Sequence, residues 1–157
     1  MRQKGFTLIE LLVVVGLVAL VVSFVTPTFQ IIISQLQLAS ASSSLSDYLL
    51  LTEQKTVTEQ VSYGVTFTVG ATTIPRYLYT PGQNGGLATK TPSGSLSLPA
   101  NIQVDQVNFS NMSDIYFSTS AAPNMSGDLV LLDTSRNRRR RITIGPSGVI
   151  ETNQAEF

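Results

Sequence analysis

The feature that most constrains this chain is an uninterrupted apolar stretch close to its N-terminus. The stretch from Phe6 to Val25 contains one ionisable side chain, that of Glu10. At about 1.5 Å of rise per residue it forms a helix roughly 30 Å long, which matches the hydrocarbon core of a bilayer. Because Arg2 and Lys4 precede it, the positive-inside bias predicts a single-pass membrane helix with a cytoplasmic N-terminus.

The carboxylate of Glu10 indicates that this helix does more than anchor the chain. A carboxylate about one turn inside an apolar helix is costly to bury unless it takes up a proton or meets a cation. Two interpretations follow. Either the side chain has a functional partner, or it lies close enough to the interface to reach toward lipid headgroups.

The residues around Glu10, GFTLIELLVVV, resemble the class III signal of type IV pilins and pseudopilins. The resemblance implies that a prepilin peptidase cuts between Gly5 and Phe6 and methylates the new N-terminus. It also implies that Glu10 pairs with the terminal amine of Phe6 in a neighbouring subunit as helices stack into a filament. An ordinary secretory signal would be cut after its apolar region, so here the helix is expected to stay in the mature protein.

Composition narrows the classes of function. The 157 residues suffice for one domain beyond the helix. The chain has no Cys and no His, so it has no disulfides and lacks the commonest general base and neutral metal ligand. The aspartates lack the spacing of a calcium loop, and three Asn-x-Ser triplets are a weak glycosylation signal. We expect no catalysis, no cofactor and no bound metal.

A long helix is predicted to continue beyond the apolar stretch. Pro27 predicts a kink near residues 22–27, and no Gly or Pro follows from Thr28 to about Gln60. Apolar side chains recur at helical spacing in that part of the chain. The serine-rich segment at 39–46 is the weak part, because serine has low helix propensity, and a break between two helices there is the alternative.

After Gly64 the hydrophobic period changes to two, which predicts strands. The strands are predicted at 65–69, 74–79, 102–109, 114–118, 129–133, 140–144 and 149–152, with a surface loop at 81–94. The predicted fold class is α+β, with a long kinked N-terminal helix packed on a C-terminal antiparallel sheet domain. The predicted parts are a leader at 1–5, a membrane and assembly helix at 6–27, an exported amphipathic half-helix at 28–62 and a β-sheet domain at 63–157.

Arginines cluster near the C-terminus. They are Arg136, Arg138, Arg139, Arg140 and Arg141. Alternation puts Ile142 and Ile144 on the core face of a strand and leaves Arg139 and Arg141 facing solvent. Guanidinium groups bind phosphate, so the cluster can bind nucleic acid without sequence preference. The alternative is a solvated face that pairs with nearby aspartates or with acids of a neighbouring subunit.

The segment DTSRNRRRRITIGPSGVI resembles the C-terminal hairpin of GspH/FimT-type pseudopilins. Some FimT-type minor pilins capture DNA through arginines at this place, whereas secretion pseudopilins share the hairpin without that use. The common pattern in the family is a Gly-Arg pair with fewer arginines, and here Ser135-Arg136-Asn137 precedes four arginines in a row.

Taken together, these features predict a filament subunit cleaved after Gly5. We expect a minor pilin, and DNA uptake through Arg136 to Arg141 is one hypothesis for its role. The alternatives are a type II secretion pseudopilin, a major structural pilin with no DNA role and, if Phe6 stays uncut, a plain single-pass membrane protein. The expected partners are other pilin subunits, the prepilin peptidase, the inner-membrane assembly platform and, in the first case, DNA. The expected location is the inner membrane first and an extracytoplasmic pilus or pseudopilus afterwards.

Overall fold

The computed structural model describes residues 6–80, 89–110 and 113–154, with backbone alone at 24–28 and 154. One helix, α1 (Leu8–Glu59), runs through the first part of the chain. Two compact units divide the chain, Met1–Leu36 and Gln37–Phe157, and α1 contributes to both.

The serine-rich segment lies inside α1, so the alternative of a helix break at 39–46 is wrong. Its serine hydroxyls bond back to the preceding turn of the same helix. Ser42 Oγ donates to the carbonyl of Ala39 at 2.8 Å, and Ser46 Oγ donates to the carbonyl of Ser42 at 3.1 Å. Burial of the neighbouring Leu45 then offsets the low helix propensity of serine. The kink near residues 22–27 stays a prediction.

In the first unit, α1 presents apolar side chains on all sides. Leu11, Leu12 and Val13, which follow one another at about 100° intervals around the helix, are each more than half exposed. A helix that is apolar all round is normally covered by lipid or by other helices. Within the part of the chain that the structure describes, none of the helical segments meets the length and hydropathy of a membrane span.

The second unit adds strands to the C-terminal half of α1. In the described residues these are β1 (Ser62–Thr66), β2 (Thr73–Thr80), β3 (Thr89–Ser97), β4 (Ile102–Asn108), β5 (Asp114–Phe117), β6 (Gly127–Asp133), β7 (Arg138–Ile144) and β8 (Ile150–Gln154). They form two four-stranded antiparallel sheets, sheet A in the order β3-β2-β1-β5 and sheet B in the order β4-β6-β7-β8. The predicted α+β class with antiparallel strands is confirmed.

The loop predicted over 81–94 is wrong for residues 89–94, which belong to β3, and residues 81–88 lie outside the described residues. Pro92 and Gly94 suggested a loop, but both fit here because β3 is the edge strand of sheet A. A register shift in the β2–β3 pairing lies beside them, with Arg76 opposite Gly94 and Tyr77 opposite Pro92.

Gly64 marked a predicted break but lies inside β1, which begins three residues before the predicted strand. A Cβ at this position would lie 2.8 Å from the carbonyl oxygen of Ile115 and 2.9 Å from Cβ of Tyr116. Glycine is therefore required by the close approach of β5 rather than by a turn.

The core of the second unit collects side chains from the helix and from both sheets. Leu45 and Leu49 of α1 are fully buried in the same cluster as Val65 of sheet A and Leu131 of sheet B. Each such side chain contributes about 1.5–3 kcal/mol when fully buried. The β1–β2 turn also joins the sheets, because the amide of Gly70 donates to the carbonyl of Val104 at 2.8 Å.

Candidate functional site

The first group of predicted site residues lies at the start of α1. Phe6 precedes the helix and is 83% exposed, while Gly5 lies outside the described residues. Thr7 occupies the N-cap position and Glu10 the third helical position. The amide of Glu10 donates to Thr7 Oγ1 at 3.3 Å, and the amide and hydroxyl of Thr7 donate to Glu10 Oε2 at 3.2 and 3.1 Å. This reciprocal arrangement is a capping box.

The capping box gives Glu10 two local donors that the sequence analysis did not anticipate. The signal was present, because Thr7-Leu-Ile-Glu10 fits the S/T-x-x-E pattern in front of an apolar run. The carboxylate also lies at the helix N-terminus, where the helix dipole favours negative charge. A cut before Phe6 leaves the Phe6–Thr7 peptide bond intact, so both donors persist in a mature chain.

The second group lies on the β6–β7 hairpin. Antiparallel pairing puts Asp133 opposite Arg138, Leu131 opposite Arg140 and Val130 opposite Arg141. The connecting residues 134–137 are exposed, and among them is Arg136. The run of arginines therefore divides between an exposed tip and a strand whose residues point alternately to the two faces of sheet B.

The buried carboxylate of Asp133 fixes the hairpin tip. Asp133 Oδ1 accepts hydrogen bonds from the amide of Ser135 at 2.9 Å and from its hydroxyl at 2.6 Å. It also accepts one from Asn101 Nδ2 at 3.3 Å. The amide of Thr134 donates to the carbonyl of Asn101 at 2.9 Å. The tip that carries Arg136 is thus tied to the chain at Asn101.

Two arginines of β7 have partners on opposite faces of sheet B. Arg139 Nε donates to Asp105 Oδ2 at 2.8 Å, and the Asp105 carboxylate is available because β4 shifts register at that residue. Arg140 Nη1 lies on the helix side and donates to Ser42 Oγ at 3.3 Å. The sequence analysis missed Asp105 and Ser42, which lie far from the arginines in sequence.

The prediction that Arg139 and Arg141 face solvent needs correction, since both residues are half-buried and Nε of Arg141 is enclosed. Their strand face also holds Val130, which is fully buried, so the arginine stems lie over apolar surface. The core positions of Ile142 and Ile144 are confirmed, because both are fully buried.

The arrangement can present positive charge but offers little for metal chemistry. Arg136 is exposed and Arg138 half-buried at the hairpin end, whereas the charge of Arg139 is partly neutralised by Asp105. Across the described ranges, no group of three His, Cys, Asp or Glu side chains could hold a metal ion.

Comparison with known proteins adds a motif and a fold. Residues 1–26 match the prokaryotic N-terminal methylation motif. The fold is similar to that of the minor pseudopilin EpsH from the type 2 secretion system of Vibrio cholerae, with a TM-score of 0.57 and 14% identity over 75% of this chain and 97% of that one. A second EpsH crystal structure gives a TM-score of 0.55 and 15% identity over 80% of this chain and 99% of that one.

The fold is also similar to that of the type IV minor pilin FimU of Pseudomonas aeruginosa, with a TM-score of 0.57 and 12% identity over 76% of this chain and 90% of that one. None of the curated proteins compared with the chain matches its sequence. Motif and fold together confirm the resemblance to the type IV pilin and pseudopilin family.

Proposed function

We propose that this chain, which carries the N-terminal methylation motif in front of a pilin fold, is a minor subunit of a type IV pilus-like filament. The observation that carries the proposal is the order of the parts. The motif at residues 1–26 includes the start of α1, whose apolar side chains are exposed there, and the C-terminal half of α1 contributes to the core of the second unit. Such a helix offers other subunits an apolar surface on which to stack.

In this proposal, residues 6–27 hold the precursor in the inner membrane with Arg2 and Lys4 on the cytoplasmic side. A prepilin peptidase cuts between Gly5 and Phe6 and methylates the amino group of Phe6. An assembly platform in the membrane then adds the subunit to the filament, where Glu10 pairs with the amino group of a neighbouring Phe6. The pairing removes an uncompensated charge from an apolar environment.

Immunoblotting of sheared filaments tests the proposal with the wild-type chain and the variants Gly5→Ser and Gly145→Ser. The wild type is expected in the filament fraction at low abundance, and Gly5→Ser is expected to keep its leader and stay in the membrane fraction. Gly145→Ser is the matched control, because Gly145 lies in the second unit, outside residues 6–27, and an added Cβ would be 3.4 Å from its nearest neighbour. Absence of the wild type from filaments would contradict the proposal, and high abundance would favour a major structural pilin.

A second candidate function, DNA binding for uptake, is favoured by the exposed position of Arg136 on a tip fixed by Asp133. Arg138 to Arg141 follow on the strand and add positive charge behind it. In this proposal Arg136 contacts phosphate first, and Arg139 exchanges its contact with Asp105 for a phosphate oxygen. A secretion pseudopilin that does not bind DNA is the alternative.

The DNA proposal is tested by fluorescence anisotropy of a labelled duplex with the full chain in a neutral detergent at several salt concentrations. The double variant Arg136→Gln with Arg138→Gln should reduce the slope of log K against log salt by about one per arginine removed. Lys55→Gln removes a cation of α1 paired with Glu59 and should leave the slope unchanged. Wild-type binding that is absent, or unaffected by the double variant, would favour the secretion alternative.

A further inference from the structure

A group of aromatic side chains lies on the face of sheet A that points away from the core. Gly64 of β1 is opposite Tyr77 on one side and Tyr116 on the other. Their chain neighbours Val65 and Ile115 point the other way and are fully buried. Since successive strand residues alternate between faces, Tyr77 and Tyr116 lie on the outer face of the sheet.

Two of the rings meet above β1. Tyr79 of β2 and Tyr116 of β5 are stacked, with ring centres 5.0 Å apart and planes inclined by 20°. The strand between them carries Ser62 and Gly64 on that face, and a Cβ at Gly64 would lie 2.9 Å from Cβ of Tyr116. The missing side chain of Gly64 therefore allows the rings to approach. A shallow hollow lies beside Tyr79, and its lining includes Gly64, Tyr77, Lys90 and Asp114.

Polar groups lie at the edge of this hollow. The ammonium of Lys90 lies 5.9 Å from the ring centres of both Tyr77 and Tyr79 and forms an ion pair with Asp114. Asp114 Oδ1 also accepts a hydrogen bond from Thr66 Oγ1 at 2.6 Å. Lys90 and Asp114 are 35% and 28% exposed at their side chains, so a ligand on the rings can reach both.

The chemistry of the hollow selects one class of ligand. Its two charged groups neutralise each other, so it offers no net attraction to a polyanion such as DNA. An aromatic face beside a carboxylate, an ammonium and a hydroxyl suits a ring with an apolar C–H face and hydroxyl groups at its edge. We propose that Tyr77, Tyr79, Lys90 and Asp114 form a binding site for a neutral pyranose sugar, in which the ring of Tyr79 is held by its stack on Tyr116.

The site is independent of the filament role and of the arginine hairpin. Sugar C–H groups stack on the half-buried rings of Tyr77 and Tyr79, and sugar hydroxyls donate to Asp114 and accept from Lys90. Phenol hydroxyls of the three tyrosines extend the polar edge. Single-site sugar binding of this kind has a dissociation constant on the order of millimolar.

Saturation-transfer NMR with the full chain tests the proposal, using lactose, maltotriose and chitotriose as probes. A zwitterionic detergent is required, because alkyl glycoside detergents would occupy the site. With at least one of the three sugars, saturation is expected to pass from the protein to the C–H protons on one face of the sugar ring. Tyr79→Ala should weaken binding by about two- to tenfold, the range expected for loss of one aromatic contact.

Three further variants separate stacking and hydrogen bonding from loss of the fold. Tyr79→Phe keeps the ring and should retain sugar binding, which keeps the test valid if Tyr79→Ala fails to fold. Asp114→Asn removes the carboxylate and should weaken sugar binding. Val149→Ala, at an exposed site in the β7–β8 turn, is the control and should bind as the wild type does. No transfer with any of the three sugars, or transfer unchanged in Asp114→Asn and Tyr79→Ala, would overturn the proposal. Transfer to a thymidine oligonucleotide that Tyr79→Ala abolishes would overturn it in favour of base stacking.

Discussion

At the scale of single residues, the carboxylate of Glu10 has two kinds of partner. Within the chain it accepts hydrogen bonds from the amide and the hydroxyl of Thr7, which complete the first turn of α1. These donors lower the cost of burying the carboxylate without cancelling its charge. In the proposed filament, a cation from a neighbouring subunit is therefore still needed.

The two roles of Glu10 are separable by substitution. Glu10→Gln keeps an oxygen that can cap the helix but removes the charge, whereas Thr7→Val removes the hydroxyl and keeps the charge. We expect Glu10→Gln to impair assembly as strongly as Glu10→Ala. Thr7→Val should assemble nearly normally despite a loss of about 1 kcal/mol of helix capping. The fraction of each chain in sheared filaments measures this, and normal assembly of Glu10→Gln would show that the charge is not needed.

The close contact between Gly64 and β5 leads to a second prediction for a single residue. Gly64→Ala places a Cβ 2.8 Å from the carbonyl oxygen of Ile115, so β1 and β5 must separate. The free energy of unfolding of the second unit should fall by about 1–3 kcal/mol. Urea unfolding of the full chain, followed by near-ultraviolet circular dichroism, measures the change. Gly145→Ala is the control, because its nearest neighbour is at 3.4 Å, and an equal loss in both variants would refute the explanation.

At the scale of elements, the β6–β7 hairpin and the bulge of β4 determine how much positive charge is available. The register shift in β4 presents Asp105 to Arg139, and the strand alternation sends Arg140 toward α1. The surface of the hairpin is therefore less basic than its sequence suggests. Arg136 at the exposed tip is the arginine best placed to bind phosphate.

Asp105→Asn tests this competition between carboxylate and phosphate. The substitution removes the negative charge beside Arg139 and keeps a hydrogen-bond acceptor. If the hairpin binds DNA, affinity should rise by about two- to tenfold at low salt, the range expected for one charged contact. Fluorescence anisotropy against the wild type measures this. Unchanged DNA affinity in Asp105→Asn would place the DNA contact elsewhere.

The contact between α1 and the β7–β8 turn predicts a pH effect. Glu53 lies against Gly148, whose added Cβ would be 3.4 Å from Glu53 Oε1, and burial raises the pKa of the Glu53 carboxyl. A carboxyl with a raised pKa favours the folded state most when protonated, so its contribution is lost as pH rises through the folded value. Glu53→Gln should therefore stabilise the fold at neutral pH, and the gain should shrink in acid. Urea unfolding of the wild type and of Glu53→Gln at neutral and at acidic pH measures the gain in stability. A gain that is larger at acidic pH would contradict the prediction.

The sequence predicted α1 and most strand positions because their periodicity is local. It missed β3 entirely because Pro92 and Gly94 are typical of a loop, and a strand accepts them here only because β3 is an edge strand. The arginines could be identified as a candidate site from sequence. Their burial could not be predicted, because it depends on Asp105, which lies 34 residues away, and on Ser42, which lies 98 residues away.

At the scale of the whole molecule, the two units have opposite requirements. The second unit buries its own core between α1 and two sheets. The first unit exposes apolar side chains around the whole helix, and these need a cover outside the chain. In the proposed function, a lipid bilayer and then a filament of like helices supply that cover, and processing at Gly5 separates the two stages.

Mass spectrometry of the N-terminus tests that claim most directly, on protein purified from cells that contain a prepilin peptidase. Cleavage after Glu10 with a glutamyl endopeptidase gives a short N-terminal peptide. The proposed function predicts a peptide from Phe6 to Glu10 with one methyl group on its amino terminus. A peptide that begins at Met1, or an unmethylated one that begins elsewhere, would contradict the processing and with it the filament role.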